Sequence, residues 1–206
     1  TDAHLARGLQ RYAAKQYRTA LADFGAALKY PANLRATPAL GGANPRQAEI
    51  AYWTACAQDA LGQHEQARQG WTEVASATDA APAGGRGGGG GGRGGFGNQV
   101  STRGVQRYYQ ALALRRLGQG DQAEPILREL LVSGVAALTQ AGAPETGGAT
   151  AGRPGQTPRS RVAAAHYVEG LGYSGLGEKD KARAEFSAAL ASTPDLLGAK
   201  LALSQL

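Results

Sequence analysis

The sequence predicts an all-α solenoid of four helical hairpins followed by a C-terminal capping helix. Three observations predict it: an apolar fraction made largely of Ala and Leu, a pattern of small and large residues that occurs four times, and Gly-rich stretches between the copies. Ala and Leu favour close-packed helices, whereas sheets favour β-branched and aromatic residues. At 206 residues, the chain is long enough to spread a buried core along a repeat array.

The first copy lies within residues 2–31 and shows the pattern in full. Apolar residues recur with a helical period on either side of a break at Lys15-Gln16. Small residues at 8, 20 and 27 mark where the two helices approach closely, and Phe24 is the large residue expected to fill the space between hairpins. Because Pro31 cannot continue a helix, the hairpin is expected to end there.

Three further copies are predicted at 46–78, 100–141 and 158–193. In each, a Leu-Gly turn precedes a small residue and then a large one: Leu61-Gly62, Ala67 and Trp71; Leu117-Gly118, Ala123 and Leu127; Leu176-Gly177, Ala182 and Phe186. Starting from Ala20, successive equivalent alanines are 47, 56 and 59 residues apart, and each spacing exceeds a repeat unit of about 34 residues. Gly-rich inter-repeat insertions are therefore expected at 32–45, 79–99 and 142–157, and residues 195–206 are expected to form a cap.

The repeated pattern resembles the tetratricopeptide repeat (TPR) family over nearly the whole chain outside the insertions. Five stretches are also similar to the C-terminal TPR region of large bacterial proteins that carry an upstream carbohydrate-active-like domain of unknown function: residues 17–24, 30–34, 48–53, 108–113 and 170–177. The resemblance implies a helical scaffold that accompanies a sugar-processing domain. It transfers no catalytic residue to this chain.

The repeat frame also suggests a binding surface. Tyr52, Tyr108 and Tyr167 occupy one position of successive first helices, and Leu112 and Leu171 lie one turn further along. Because TPR proteins line a concave groove with these positions, the resemblance implies an aromatic ladder for a peptide, a helix of a neighbouring subunit or a sugar chain. The alternative is that these tyrosines pack between neighbouring hairpins or against the insertions.

The net charge of +6 permits an acidic partner, but Lys and Arg are scattered along the chain. Residues 84–97 resemble an RGG-type nucleic-acid box, in which only Arg86, Arg93 and Phe96 offer contacts. Such boxes repeat the unit more often, so a flexible or docked linker is the favoured interpretation and nucleic acid is disfavoured as a partner.

No catalytic or metal-binding motif is present in the sequence. The three histidines fall in different repeats, and Cys56 has no partner at metal-ligand spacing. Glu169 and Glu185 stand among Lys and Arg, which is typical of a solvated helix face. The prediction is therefore no enzyme, no cofactor and no metal site.

A non-enzymatic scaffold for a protein partner, or for further copies of itself, is the favoured function. One alternative is a self-assembling subunit of a filament or tube, with Gly-rich loops at subunit contacts. Another is an accessory domain of a carbohydrate-active bacterial protein. No apolar run reaches the ~20 residues of a membrane-spanning helix. The absence of Met and the start at Thr1 suggest a processed segment, and an extracytoplasmic or extracellular location is favoured over a cytoplasmic one.

Overall fold

The computed structural model describes residues 2–29, 46–77, 96–142 and 157–206, with backbone only at 96–101 and 142. Within these ranges the chain forms nine helices and no strand, which confirms the all-α prediction. The helices are α1 (Asp2–Ala13), α2 (Tyr17–Leu28), α3 (Gln47–Ala60), α4 (His64–Ser76), α5 (Phe96–Arg116), α6 (Gly120–Gly142), α7 (Pro158–Leu176), α8 (Lys179–Ser192) and α9 (Leu197–Gln205).

The same turn joins α1 to α2, α3 to α4, α5 to α6 and α7 to α8. At its centre is a residue with positive φ: Lys15 at 61°, Gly62 at 80°, Gly118 at 78° and Gly177 at 85°. The N–H of the next residue donates to the carbonyl five residues back, with distances between 2.8 and 2.9 Å in the four turns. This is the Schellman closure, in which the left-handed residue lets the last carbonyls of a helix find donors.

The four equivalent alanines at 20, 67, 123 and 182 are all fully buried. The large residues that follow them are buried as well. Two of these large residues contact a glycine of their own hairpin, a contact that the sequence pattern had not assigned. A Cβ at Gly8 would lie 2.5 Å from Phe24 Cε1, and a Cβ at Gly170 would lie 2.5 Å from Phe186 Cε1. Glycine is therefore required at both positions for the two helices to pack this closely.

The chain divides into two compact units, whereas the sequence predicts one solenoid over 1–206. Unit 1 comprises Thr1–Arg93 and Tyr109–Gly120. In it, α1 packs on α2, α2 on α3 and α3 on α4. The last part of α5 contacts α3 and α4: Tyr109 Oη donates to Glu49 Oε1 at 3.1 Å, and Gln110 Nε2 donates to the carbonyl of Ala75 at 2.9 Å.

Unit 2 comprises Gly94–Tyr108 and Asp121–Leu206. Its core is α7, which pairs with α8 and also contacts α9. On another face, Gly172 and Gly175 of α7 lie against Leu127 and Leu131 of α6. Gly104 of α5 also lies against Val168 of α7. Four helices thus approach α7 closely, and just over half of its residues are buried.

The helix bounds differ from the sequence prediction mainly at α5. This helix begins at Phe96, inside the segment predicted as an insertion over 79–99. Phe96, expected as a loop contact, is therefore a helical residue; Arg86 and Arg93 lie outside the described residues. At the C-terminus, α9 falls inside the predicted cap. Among the described helices, none has the length and apolar character needed to span a bilayer.

Candidate functional site

Five aromatic rings of unit 1 form a continuous chain of contacts, named here the aromatic cluster. In order, the rings are Tyr17, Tyr12, Trp53, Tyr52 and Tyr109, with centroid separations of 5.4, 5.1, 5.5 and 5.4 Å. The first three contacts are edge-to-face, the arrangement that the charge distribution of aromatic rings favours.

The hairpin turn and the helix pairing position these rings. Tyr12 and Tyr17 flank the α1–α2 turn, Tyr52 and Trp53 lie on α3, and Tyr109 lies on α5. Within the aromatic cluster, the rings of Tyr52 and Tyr109 are buried, whereas the other three rings are half-buried. The cluster therefore has a fixed base and a partly exposed edge.

A buried carboxylate fixes the base of the cluster. Glu49 accepts from Tyr109 Oη at 3.1 Å and from Arg46 Nη1 at 2.8 Å. Tyr109 Oη in turn accepts from Trp53 Nε1 at 3.4 Å. Burial raises the pKa of Glu49, while the neighbouring Arg46 opposes that rise. These hydrogen bonds restrict the orientation of the rings, since a ring that turned would leave buried polar atoms unpaired.

Arg116 places a cation beside the aromatic cluster. Its Nε donates to Tyr52 Oη over a long 3.5 Å, and its guanidinium lies 5.7 Å from the centre of the Trp71 ring. The hydrogen bond to Tyr52 raises the pKa of Arg116, and the charge of Arg116 opposes the burial that raises the pKa of Tyr12. The positive charge of Arg116 therefore influences Tyr12 at the half-buried edge of the cluster as well as Tyr52 at its buried base.

Among the residues that the structure describes, Arg116 has no carboxylate within ion-pair distance. The Cys56 thiol lies beside Arg116 and Tyr52, and burial raises the pKa of this thiol. Cys56 is buried. A raised thiol pKa makes Cys56 a poor nucleophile.

Of the five residues predicted to line a groove, Tyr52 and Leu112 belong to unit 1 and the others to unit 2. Tyr52 and Tyr167 are 5% and 6% exposed, and Leu171 is buried too. Tyr167 packs 6.0 Å from the Phe186 ring centre, with its hydroxyl against Gly198. This burial favours the packing alternative for these three residues.

Tyr108 and Leu112 are half-buried. Tyr108 Oη lies 3.3 Å from Ser174 Oγ, within hydrogen-bond distance. A groove role for Tyr108 and Leu112 stays a prediction. The sequence frame missed the half-exposed rings of Tyr12 and Trp53 because they occupy other repeat positions. Their only signal was the local density of aromatic residues around the first turn and in α3.

No protein-family model matches the chain, and no curated protein or solved structure matches it. The TPR resemblance therefore stays a prediction.

The interpretation of Glu169 and Glu185 as part of a solvated face is wrong for Glu169, which is 7% exposed. Its neighbour Glu185 is half-buried, and Glu185 Oε2 lies 2.7 Å from His166 Nδ1. The surrounding Lys and Arg in the sequence suggested solvent exposure, but α6 packs its Gly134 against the backbone and Cβ of Glu169. Packing by a distant helix is not visible in the local sequence.

Proposed function

We propose that the chain is a non-enzymatic TPR-type scaffold that binds an extended segment of a partner protein at the aromatic cluster. The observation that supports it best is Arg116, a cation near the Trp71 ring with no acidic partner in the described part of the chain. It contacts a cluster whose Tyr12 and Trp53 rings are half-buried.

Rings held in place before binding favour affinity. Tyr, Trp and Arg dominate the energetics of protein interfaces, because they offer large contact areas at a modest entropic cost. Here the rings contact one another and rest on the Glu49 hydrogen bonds. A partner would therefore meet an ordered surface and would not have to restrict freely rotating side chains.

The charge at the site selects the chemistry of the partner segment. A guanidinium pairs with a carboxylate through two parallel hydrogen bonds, and its affinity rises when aromatic rings shield the pair from water. We therefore expect an acidic side chain of the partner at Arg116, with an aromatic or aliphatic side chain against Tyr12 and Trp53. The net charge of +6 favours an acidic partner as well.

Repetition of the hairpin supports the scaffold part of the proposal. The same turn closes four helix pairs, and in two of them a glycine faces a phenylalanine in the same way. Hairpins that leave apolar faces uncovered stack on their neighbours and present an extended surface. The TPR assignment rests on this repetition and on the resemblance.

The experiment is a selection of a displayed random-peptide library on the full chain, followed by binding titrations of the enriched peptides. We expect enrichment of peptides with an acidic residue next to apolar ones. Arg116→Gln is expected to weaken their binding at least tenfold, because the carboxylate loses its partner.

Arg115→Gln is the matched control, since it removes the same charge from the adjacent, exposed position of α5. It is expected to leave binding within twofold. An equal loss of peptide affinity in both variants would show that only the net charge matters. Peptides that bind Arg116→Gln as tightly as the wild type would contradict the proposed site. Thermal melting of both variants checks that they fold.

A carbohydrate is a second candidate ligand, favoured by the partly exposed rings at the cluster edge. A neutral sugar would need the ring of Trp53 and not the charge of Arg116. Binding to a glycan array that is lost in Trp53→Ala but kept in Arg116→Gln would favour this function over peptide binding.

Self-assembly is the third candidate, favoured by Val132 and Val135, which are 70% and 52% exposed on α6. Exposed apolar residues one turn apart are suited to contact between copies. Sedimentation at increasing concentration tests it. A particle size that grows in the wild type and not in Val132→Lys favours assembly, whereas a monodisperse monomer at high concentration excludes it.

A further inference from the structure

Three side chains that can bind metal converge in unit 2. His166 and Glu169 lie one turn apart on α7, and Glu185 reaches them from the paired helix α8. His166 Nδ1 is 2.7 Å from Glu185 Oε2, and one donor atom from each of the three residues lies within 4.8 Å of the other two. A search for sequence motifs does not find this cluster, because its members come from two helices.

Glu169 is the buried carboxylate of this group. It is 7% exposed, and it forms no ion pair with Lys or Arg in the described ranges. Burial is the main cause that raises its pKa, and the charge of Glu185 adds to the rise. Its polar neighbours are His166 and the Tyr173 hydroxyl. The group therefore holds two carboxylates beside one imidazole, and the Lys181 ammonium lies 5.3 Å from the Tyr173 ring centre.

In the first hairpin, the carboxylate at the position equivalent to Glu185 is neutralised by arginines. Alignment of Gly8 with Gly170 and of Phe24 with Phe186 places His4 on His166, Arg7 on Glu169, Arg11 on Tyr173 and Asp23 on Glu185. In hairpin 1, Arg7 Nη2 donates to Asp23 Oδ1 at 2.6 Å, and Arg11 Nη1 donates to Asp23 Oδ2 at 2.7 Å.

Two guanidinium groups thus neutralise the α2 carboxylate in the first hairpin. In the last hairpin, the equivalent positions hold Glu169 and Tyr173, so both cations are lost and one is replaced by a second carboxylate. The histidine and the acidic residue of the second helix are present in both hairpins. A cation from outside the chain would restore the charge balance.

We propose that His166, Glu169 and Glu185 bind a divalent transition-metal ion of the zinc class. One imidazole nitrogen and two carboxylate oxygens suit zinc, whereas calcium and magnesium favour shells made of oxygen alone. Zinc bonds of about 2.0–2.2 Å place tetrahedral donors roughly 3.4 Å apart, so shifts of about 1 Å convert the present arrangement into a coordination shell. Three protein ligands leave a fourth position for water.

The experiment titrates Zn²⁺ alone into the full chain by calorimetry, with thermal melting measured in parallel. We expect saturable binding at one ion per chain and a rise in the melting temperature, because an ion that binds only the folded chain stabilises it. His166→Ala, Glu169→Gln and Glu185→Gln are each expected to weaken zinc binding tenfold or more. Excess Ca²⁺ is expected not to compete.

His64→Ala is the matched control. His64 Nδ1 lies 2.7 Å from Asp59 Oδ1 in unit 1, the same contact as in the cluster. This pair is exposed, and the described residues add no third donor to it. This variant is expected to bind zinc like the wild type. Circular dichroism checks the fold of each variant, and Co²⁺ added in place of Zn²⁺ is expected to give visible absorption bands that Glu185→Gln lacks.

Three results would overturn the proposal: no saturable zinc binding, binding unchanged in the three cluster variants, or binding lost in His64→Ala alone. The last result would assign zinc to an adventitious surface pair. None of these results bears on the aromatic cluster, because the zinc cluster and Arg116 belong to different units.

Discussion

Arg7 Nη2 donates to Asp23 Oδ1 at 2.6 Å and so links the two helices of the first hairpin. The Asp23 side chain is only 4% exposed, and Arg11 occupies its second oxygen. The hydrogen bond from Arg7 is the main cause that holds the pKa of Asp23 below its usual value of 3.8. A carboxylate bound in this way stabilises the folded state only while it is ionised.

Asp23→Asn is expected to lower the free energy of unfolding by about 2 kcal/mol at neutral pH, because charge-assisted hydrogen bonds are lost. Since the folded-state pKa of Asp23 is lowered, this contribution is present above 3.8 and is lost as the pH falls through the folded-state value. Urea unfolding across an acid titration measures it. A difference between wild type and variant that does not shrink in acid would contradict this role of ionised Asp23.

Lys15→Gly is expected to stabilise the protein by about 0.5–1 kcal/mol, since Lys15 has a left-handed φ of 61° where the other three turns have glycine. The gain is reduced by the greater freedom of glycine in the unfolded chain. The reverse change, Gly62→Ala, is expected to destabilise by about 1 kcal/mol. Urea midpoints of both variants decide whether the four turns are energetically equivalent.

Gly170→Ala is expected to destabilise by about 1–3 kcal/mol, because the added Cβ would lie 2.5 Å from Phe186 Cε1. Gly25→Ala is the control: a Cβ at Gly25 meets nothing within 4 Å, so this change is expected to be neutral or stabilising. Phe186→Leu combined with Gly170→Ala tests the cause. The double variant is expected to lose less stability than the sum of the two single changes.

Glu169→Gln is expected to stabilise the metal-free protein at neutral pH. Because burial raises the folded-state pKa of Glu169, the unfolded chain releases this proton first, and wild-type stability falls as the pH rises from the usual value of 4.5 through the folded-state pKa. The variant lacks this loss. Urea unfolding is measured in the presence of a chelator at pH values on both sides of 4.5. The difference in unfolding free energy between Glu169→Gln and the wild type is expected to grow as the pH rises.

The hairpins are predictable from sequence because their determinants are local. The turn glycines and the buried alanines lie within one helix pair and occupy their expected places. The large residues are buried as expected, but Phe24 and Phe186 pack on a glycine of their own hairpin. The start of α5 at Phe96 was missed because Gly97 and the preceding Gly-rich segment do not resemble a helix.

The candidate sites depend on contacts that the linear pattern does not contain. Tyr12 meets Trp53 because α3 packs beside the first hairpin, and Glu169 is buried partly because α6 covers it. The zinc cluster did have a sequence signal. Alignment of the first and last repeats places Glu169 where Arg7 stands, and such a charge reversal at equivalent positions marks a site to inspect.

The repeated Schellman turn has a consequence for how the chain folds. In the first and last hairpins, the ties between helices join residues only 12 to 19 positions apart in sequence. Proteins dominated by such short-range contacts fold quickly, and each helix pair of a repeat array can nucleate by itself. The closure entropy of a connector grows only with the logarithm of its length. The residues that make the spacings of 47, 56 and 59 unequal lie between hairpins, so they do not enter the closure of any single hairpin.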